Sequence, residues 1–186
     1  MNETGNSTAT PSASHRSRYH PQASSLLKDV LFLLLKIAAI IAVFLLVFTF
    51  LFGLNRIADM SMAPSIKDGD LVMFYRLDKT YVAGDTLLLE FQEQKQVRRV
   101  VATAGDTVDI TEEGLLVNGA LQQEPEIYRQ TQRYAAGVTF PLTVGEGQVF
   151  VLGDARDNAT DSRMYGTVEI TDTLGKVITI LRRRKI

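Results

Sequence analysis

From Leu31 to Leu54 almost every position is apolar, interrupted by Lys36, Thr49 and Gly53. The part from Ile37 to Leu54 alone approaches the length that spans a hydrocarbon core. The pattern predicts a transmembrane helix, placed over residues 26–55. A cleavable signal sequence has a shorter apolar region and a small-x-small cleavage motif, which Ala58-Asp59-Met60 does not supply. A buried helix of a soluble protein normally keeps a polar stripe, and this run has none. Lys36 lies near the N-terminal end of the run, within snorkelling reach of lipid headgroups. Residues 1–25 are rich in Ser, Thr, Asn and Ala and offer no apolar face to bury, which predicts a disordered tail. Arg16, Arg18, Lys28 and Lys36 precede the Ile37–Leu54 part of the span and Arg56 follows closely. This bias in positive charge puts the tail in the cytoplasm and residues 56–186 outside it.

After Pro64 the apolar runs shorten. Leu71 to Leu77, Thr86 to Phe91, Gln96 to Thr103 and Thr107 to Ile110 are rich in aliphatic, aromatic and β-branched residues. Lys67-Asp68-Gly69-Asp70 and Ala83-Gly84-Asp85 punctuate them. Leu115 to Val117 precedes Asn118-Gly119, a strong tight-turn signal. Residues 121–137 are polar and lack a period, as in a loop or an excursion from a sheet. Gln148 to Leu152 and Lys176 to Leu181 complete the set of expected strands. Short strands without intervening helices predict a mainly β domain over residues 56–186, closed into a barrel-like fold. The run Arg182-Arg183-Arg184-Lys185 reads as a solvated tail, or as a contact with anionic headgroups.

Charge and composition remove several functions. A formal net charge of -1 leaves no basic excess for phosphate neutralisation, which argues against a nucleic-acid partner. With no cysteine there are neither disulfides nor thiolate metal sites. Both histidines, His15 and His20, lie in the tail, so the predicted domain lacks the usual neutral-pH base and a Ser-His-Asp triad is excluded. No feature implies a metal or other cofactor.

The stretch Ala58-Asp59-Met60-Ser61-Met62-Ala63-Pro64-Ser65 opens the predicted domain directly after the apolar run. A serine hydroxyl is a poor nucleophile until something takes its proton. Without histidine, the remaining acceptors are a lysine kept neutral by desolvation or a carboxylate. Taken alone, Ser61 reads as a polar residue in a loop.

Four ordered blocks change that reading: Asp59 to Ser65; Gly69-Asp70; Arg98-Arg99-Val100-Val101-Ala102-Thr103-Ala104-Gly105-Asp106; and Gly153-Asp154-Ala155-Arg156-Asp157-Asn158-Ala159-Thr160-Asp161-Ser162-Arg163. In order and spacing they resemble the bacterial type I signal peptidases, from the membrane helix to the last strand. The resemblance implies a signal-peptidase-like β-barrel domain behind a single membrane anchor. It also implies a serine endopeptidase that removes signal peptides from exported precursors, with small residues at the first and third positions before the cut. It makes Ser61 the nucleophile. Met60 and Met62 would flank it with apolar surface suited to the bilayer interface and Pro64 would stiffen the turn, so these three are expected at the substrate-binding surface. Asp161 and Arg163 resemble a structural ion pair bracing the site; from residue type, Asp154 and Arg156 are expected to hold the connecting turn, with Ser162 structural beside them.

Three positions depart from the family pattern. Arg98 stands where the family has its general-base lysine, and arginine does not give up its proton at ordinary pH. Ala159 stands where a serine orients that lysine. Asp59 stands two residues before the nucleophile, where a small or hydroxyl residue serves the oxyanion site. Asp59 and Ser61 share a face if the segment is extended, so an Asp59–Arg98 ion pair beside Ser61 is expected. Either Asp59 accepts the serine proton, directly or through a water, or the pair fills the lost lysine site and the fold binds precursors without cutting them. The second alternative implies an assembly factor for pili or other surface fibres, with pilin subunits as partners. A membrane-tethered β domain of other purpose is the plainest alternative. Lys95 lies on the opposite strand face from Arg98, and Lys67, Lys79 and Lys176 fall in or beside turns, so none is expected to replace the missing base.

Overall fold

The computed structural model describes residues 23–182. The expected tail lies outside the described residues except for Ala23–Ser25, and the basic end lies outside them except for Arg182. Contacts divide the chain into two units, one ending at Val43 and the other starting at Phe44.

The first unit is helical. Helix α1 runs from Ala23 to Leu51 and continues into the second unit. Its Leu26–Leu51 part has a mean hydropathy of 3.1 and none of its most apolar window is buried, so it is long and apolar enough to cross a membrane. At 1.5 Å per residue, its 26 residues reach about 39 Å, more than the roughly 30 Å of a hydrocarbon core. Lys36 places its ammonium 4.4 Å from the centre of the Phe32 ring.

The second unit is mainly β. Its strands are β1 (Phe52–Arg56), β2 (Leu71–Tyr75), β3 (Thr86–Phe91), β4 (Gln94–Thr103), β5 (Thr107–Thr111), β6 (Gly114–Val117), β7 (Ala120–Leu121), β8 (Leu142–Thr143), β9 (Gln148–Leu152), β10 (Val168–Glu169) and β11 (Thr173–Leu181). A one-turn helix α2 covers Ser162–Tyr165. The ladders are antiparallel and form two sheets, β1-β2-β11-β3-β4-β9-β10 and β7-β6-β5-β8. Residues 52–55, expected as the end of the helix, are a strand instead. Apolar character alone does not separate a buried strand from a helix end. Here the choice is made by pairing with β2, from Phe52↔Tyr75 to Arg56↔Leu71. Asn118 and Gly119 both have positive φ, 53° and 77°, and make the two-residue turn that joins β6 to β7.

Alternation along the strands serves more than one core. On β3, Leu88 packs with Ile57, Met62, Val72 and Val97, whereas Leu87 and Leu89 pack with Tyr81, Val100 and Val149. On β9, Val149 and Val151 join that second cluster, while Phe150 and Leu152 join a third around Ala102, Val108 and Ile110. Strands covered on both faces read as continuous apolar runs. A bulge in β4 redirects its faces: Val100 pairs with Val151 but Ala102 pairs with Phe150, leaving Val101 as the extra residue. The extra residue inverts inside and outside, so Val100 and Ala102, two apart, enter different clusters.

Candidate functional site

Ser61 sits in the turn that follows β1. Ile57, Met62 and Ile66 anchor that turn in the first apolar cluster, and Ile66 N donates to the Met62 carbonyl at 2.9 Å. Burial therefore fixes the backbone on both sides of the serine. From the far side, Ala155 N donates to the Ser61 carbonyl at 2.9 Å. Gly153 permits this approach: a Cβ there would lie 2.7 Å from the Ser61 carbonyl oxygen and 2.3 Å from the Ala159 Cβ. Gly153→Ala is accordingly expected to push the Ser61 turn away from the 153–159 loop. A stability loss of about 1–3 kcal/mol, the usual cost of overpacking, should appear in thermal melts together with reduced turnover.

Arg98 reaches Ser61 from β4 and is buried. Its five N–H donors all have acceptors. Nε and Nη2 donate to the Thr160 carbonyl at 3.0 and 2.8 Å, and Nη2 also donates to Gln96 Oε1 at 2.9 Å. Nη1 donates to the Val97 carbonyl and to Ser61 Oγ, each at 2.6 Å. With Ala159 offering no hydroxyl, the neighbouring backbone carbonyl takes the guanidinium.

The Arg98 contact determines where the serine hydrogen goes. A guanidinium has no acceptor, so Ser61 Oγ receives from Arg98 and must donate elsewhere. Asp59 Oδ1 lies 2.9 Å from Oγ and accepts. Ser61 N also donates to Asp59 Oδ1, at 3.3 Å. The direct approach of Arg98 Nη1 to Asp59 Oδ2 is 4.0 Å, so the expected ion pair is present at its outer limit and the serine hydroxyl bridges it. Asp59 is partly exposed whereas Arg98 is buried.

No lysine is placed at Ser61 among the described residues. Lys176 pairs with Asp85 at 2.6 Å, Lys79 donates to the Thr171 carbonyl, and Lys67 and Lys95 are exposed. Burial pushes the Tyr165 phenol well above its ordinary range, against the opposing charge of nearby Arg98, so it stays neutral. Its hydroxyl is enclosed without a hydrogen-bond partner.

The 153–163 segment supports the turn through buried charge. Asp161 caps α2 and accepts from Arg163 N, Nε and Nη2 and from Gly153 N at 2.8–3.1 Å. Ser162 Oγ accepts from Val151 N at 2.9 Å, tying α2 to β9. Asp154 turns to a partner outside the connecting turn, whereas Arg156 both holds that turn and reaches beyond it. Asp154 takes a bidentate pair from Arg99, at 2.8 and 2.6 Å, which raises the Arg99 pKa. Arg156 donates to the Gly153 carbonyl and forks onto Glu124 at 2.7 and 2.5 Å. The segment 121–137 is therefore pinned at Glu124, at the buried Thr131, and at Tyr134, whose hydroxyl donates to the Ala159 carbonyl at 2.8 Å. The unpatterned sequence of that segment had shown none of these contacts; an acid among polar neighbours carries no local sign of a distant arginine.

The two methionines flanking Ser61 differ in burial. Met60 is 45% exposed and Pro64 is exposed, but Met62 is completely buried in the core and presents no surface to a substrate. A methionine beside a nucleophile and a methionine in a core are indistinguishable until packing is known.

A serine nucleophile needs a neighbouring acceptor for its proton, and Asp59 Oδ1 is the acceptor that stands beside Ser61 Oγ. Comparison with known proteins narrows the class. The family described as "Signal peptidase, peptidase S26" matches residues 30–181. Signal peptidase I of Bacillus licheniformis is 32% identical over 139 residues, 68% of this chain and 75% of that protein. Signal peptidase IB of Staphylococcus aureus strain COL is 27% identical over 169 residues, 81% and 88% of the two chains. A signal peptidase I of known structure from Enterococcus faecalis V583 is 26% identical, covering 54% of this chain and 97% of that one, with a TM-score of 0.44. The chain belongs to the signal peptidase I family of serine endopeptidases, which process signal peptides. Its long apolar helix is consistent with a membrane anchor.

Proposed function

We propose that this chain cuts signal peptides from exported precursors with Ser61 as nucleophile and Asp59, in place of the family's lysine, as proton acceptor. The observation that carries this reading is the hydrogen bond from Ser61 Oγ to Asp59 Oδ1, directed there because Arg98 donates to the same oxygen. Ser61 Oγ attacks the scissile carbonyl carbon and its proton passes to Asp59. The C–N bond then breaks, the amine leaves with that proton, and an ester to Ser61 remains for water to hydrolyse. Arg98 stands where the family's lysine would. Permanently charged, it holds Oγ in position and offsets negative charge developing on it. On this reading α1 anchors the enzyme in the bilayer with its N-terminus in the cytoplasm and the β domain outside, Met60 and Pro64 border the substrate path, and Asp161 and Arg163 brace the turn.

A second reading, precursor binding without cleavage, as in an assembly factor for pili, is favoured by the hold of Asp59 on Ser61 N–H. That donor must be released before it can serve an oxyanion. Full-length protein in detergent, mixed with a signal-peptide-bearing precursor, separates the two. Cleavage reduced about 100-fold or more by Asp59→Asn, with precursor affinity retained, is the outcome expected for the proton acceptor. Unchanged turnover in Asp59→Asn removes Asp59 from the chemistry, and capture of intact precursor by the wild type supports the second reading.

A further inference from the structure

Asp59 also borders a groove of about 480 Å³, lined by residues between Asn55 and Asp59 and by Glu93 to Gln96. Along this stretch β4 pairs only with β3; its ladder to β9 begins at Arg99. An open strand edge beside a nucleophile suits an extended polypeptide. Apart from Ala58, the lining consists of polar or charged residues. An apolar side chain entering it would bury little hydrocarbon and would strand polar groups without partners.

The charges in the groove are not equivalent. Asp59 is engaged by Ser61, whereas Arg56, Glu93 and Lys95 are exposed and none of them is held in an ion pair among the described residues. With the Asp59 charge answered by Arg98 across 4.0 Å, the remaining charge in the groove is two cations against one anion. A basic side chain in the groove would compete for Asp59 and draw it away from the serine proton. An acidic one would leave Asp59 free and meet Arg56 or Lys95. Small residues at two positions before the cut leave the other positions of the bound segment to these walls.

We propose that Arg56 and Lys95 select precursors carrying an acidic side chain in the segment bound beside the cut. The proposal rests on Ser61 marking the point where precursors bind, and it survives if cutting itself fails. Fluorogenic precursor peptides differing only by Glu, Gln or Lys at positions flanking the cut are assayed with full-length wild type and with the Arg56→Glu/Lys95→Glu double variant. The expected wild-type preference is about tenfold in kcat/KM for Glu over Lys, carried by KM and weakened by salt; the double variant should invert it. Identical rankings in the two proteins, or a wild-type preference for Lys, overturn the proposal. Anisotropy of the same labelled peptides on Ser61→Ala reads binding without chemistry. If no peptide is cut but binding still follows the charge order, the cleavage reading falls and the groove assignment stands. Binding that ignores charge overturns the assignment whatever the cleavage result. Arg56→Gln and Lys95→Gln, assayed singly, should each lose part of the preference if the double variant fails to fold.

Discussion

Ser61→Ala is expected to lower precursor cleavage by at least about 10⁴-fold, because the proposed reaction loses the atom that attacks. The substitution also acts on the fold. Arg98 Nη1 loses one acceptor in a buried setting, which costs about 1–3 kcal/mol. A thermal melt alongside the cleavage assay separates the effects: the variant should melt a few degrees lower, bind precursor peptide and leave it intact. Residual cleavage equal to that of the wild type would mean that Ser61 is not the nucleophile. Because Ser61 also joins Asp59 to Arg98, its loss leaves those two charged groups facing each other across 4.0 Å without the bridging hydroxyl.

The second large effect is expected in stability. Asp161→Ala removes the carboxylate that answers Arg163 at three nitrogens and Gly153 at one, all in an interior where neither side chain is more than 1% exposed. Breaking one partner of a buried pair leaves the other charge uncompensated, at a cost of roughly 3–5 kcal/mol. For a chain of this size that corresponds to a fall in Tm of roughly 10 °C. Asp161→Asn, which keeps the shape and one acceptor, should fall between the two. The damage should spread to the site, because Gly153 N is tied to the same carboxylate and Gly153 packs against the Ser61 carbonyl. A melting temperature unchanged by Asp161→Ala would show that Arg163 is satisfied without it, through the Gln132 and Arg156 carbonyls and the Tyr134 hydroxyl.

Legibility in the sequence varied with the range of the interaction. The strands at 86–91, 107–111 and 148–152 stood out as aliphatic or alternating runs between turn residues, and Asn118-Gly119 marked its turn by the positive φ that both residues tolerate. Strand β1 did not stand out, since its first residues, Phe52–Leu54, continue an apolar run and only its ladder with β2 makes it extended. The nearness of Asp59, Ser61 and Arg98 followed from the ordered motifs. The means by which a buried arginine is accommodated did not, because its acceptors are chiefly backbone carbonyls, which leave no trace in side-chain identity. The fork of Arg156 onto Glu124 was hidden by distance, the two being 32 residues apart and Glu124 lying in a segment without periodicity.

The sequence by itself determined the apolar helix, the β class of the domain, the absence of histidine chemistry there and the residues that carry charge to Ser61. These follow from local periodicity and from residue type. Only the tertiary structure decided that Met62 belongs to the core, that Asp154 answers Arg99, and that the serine proton points to Asp59. The last depends on Arg98 arriving from 37 residues away and on Thr160 holding it from 62 residues further along. Such contacts are products of strand register and burial, and no stretch of chain encodes them alone.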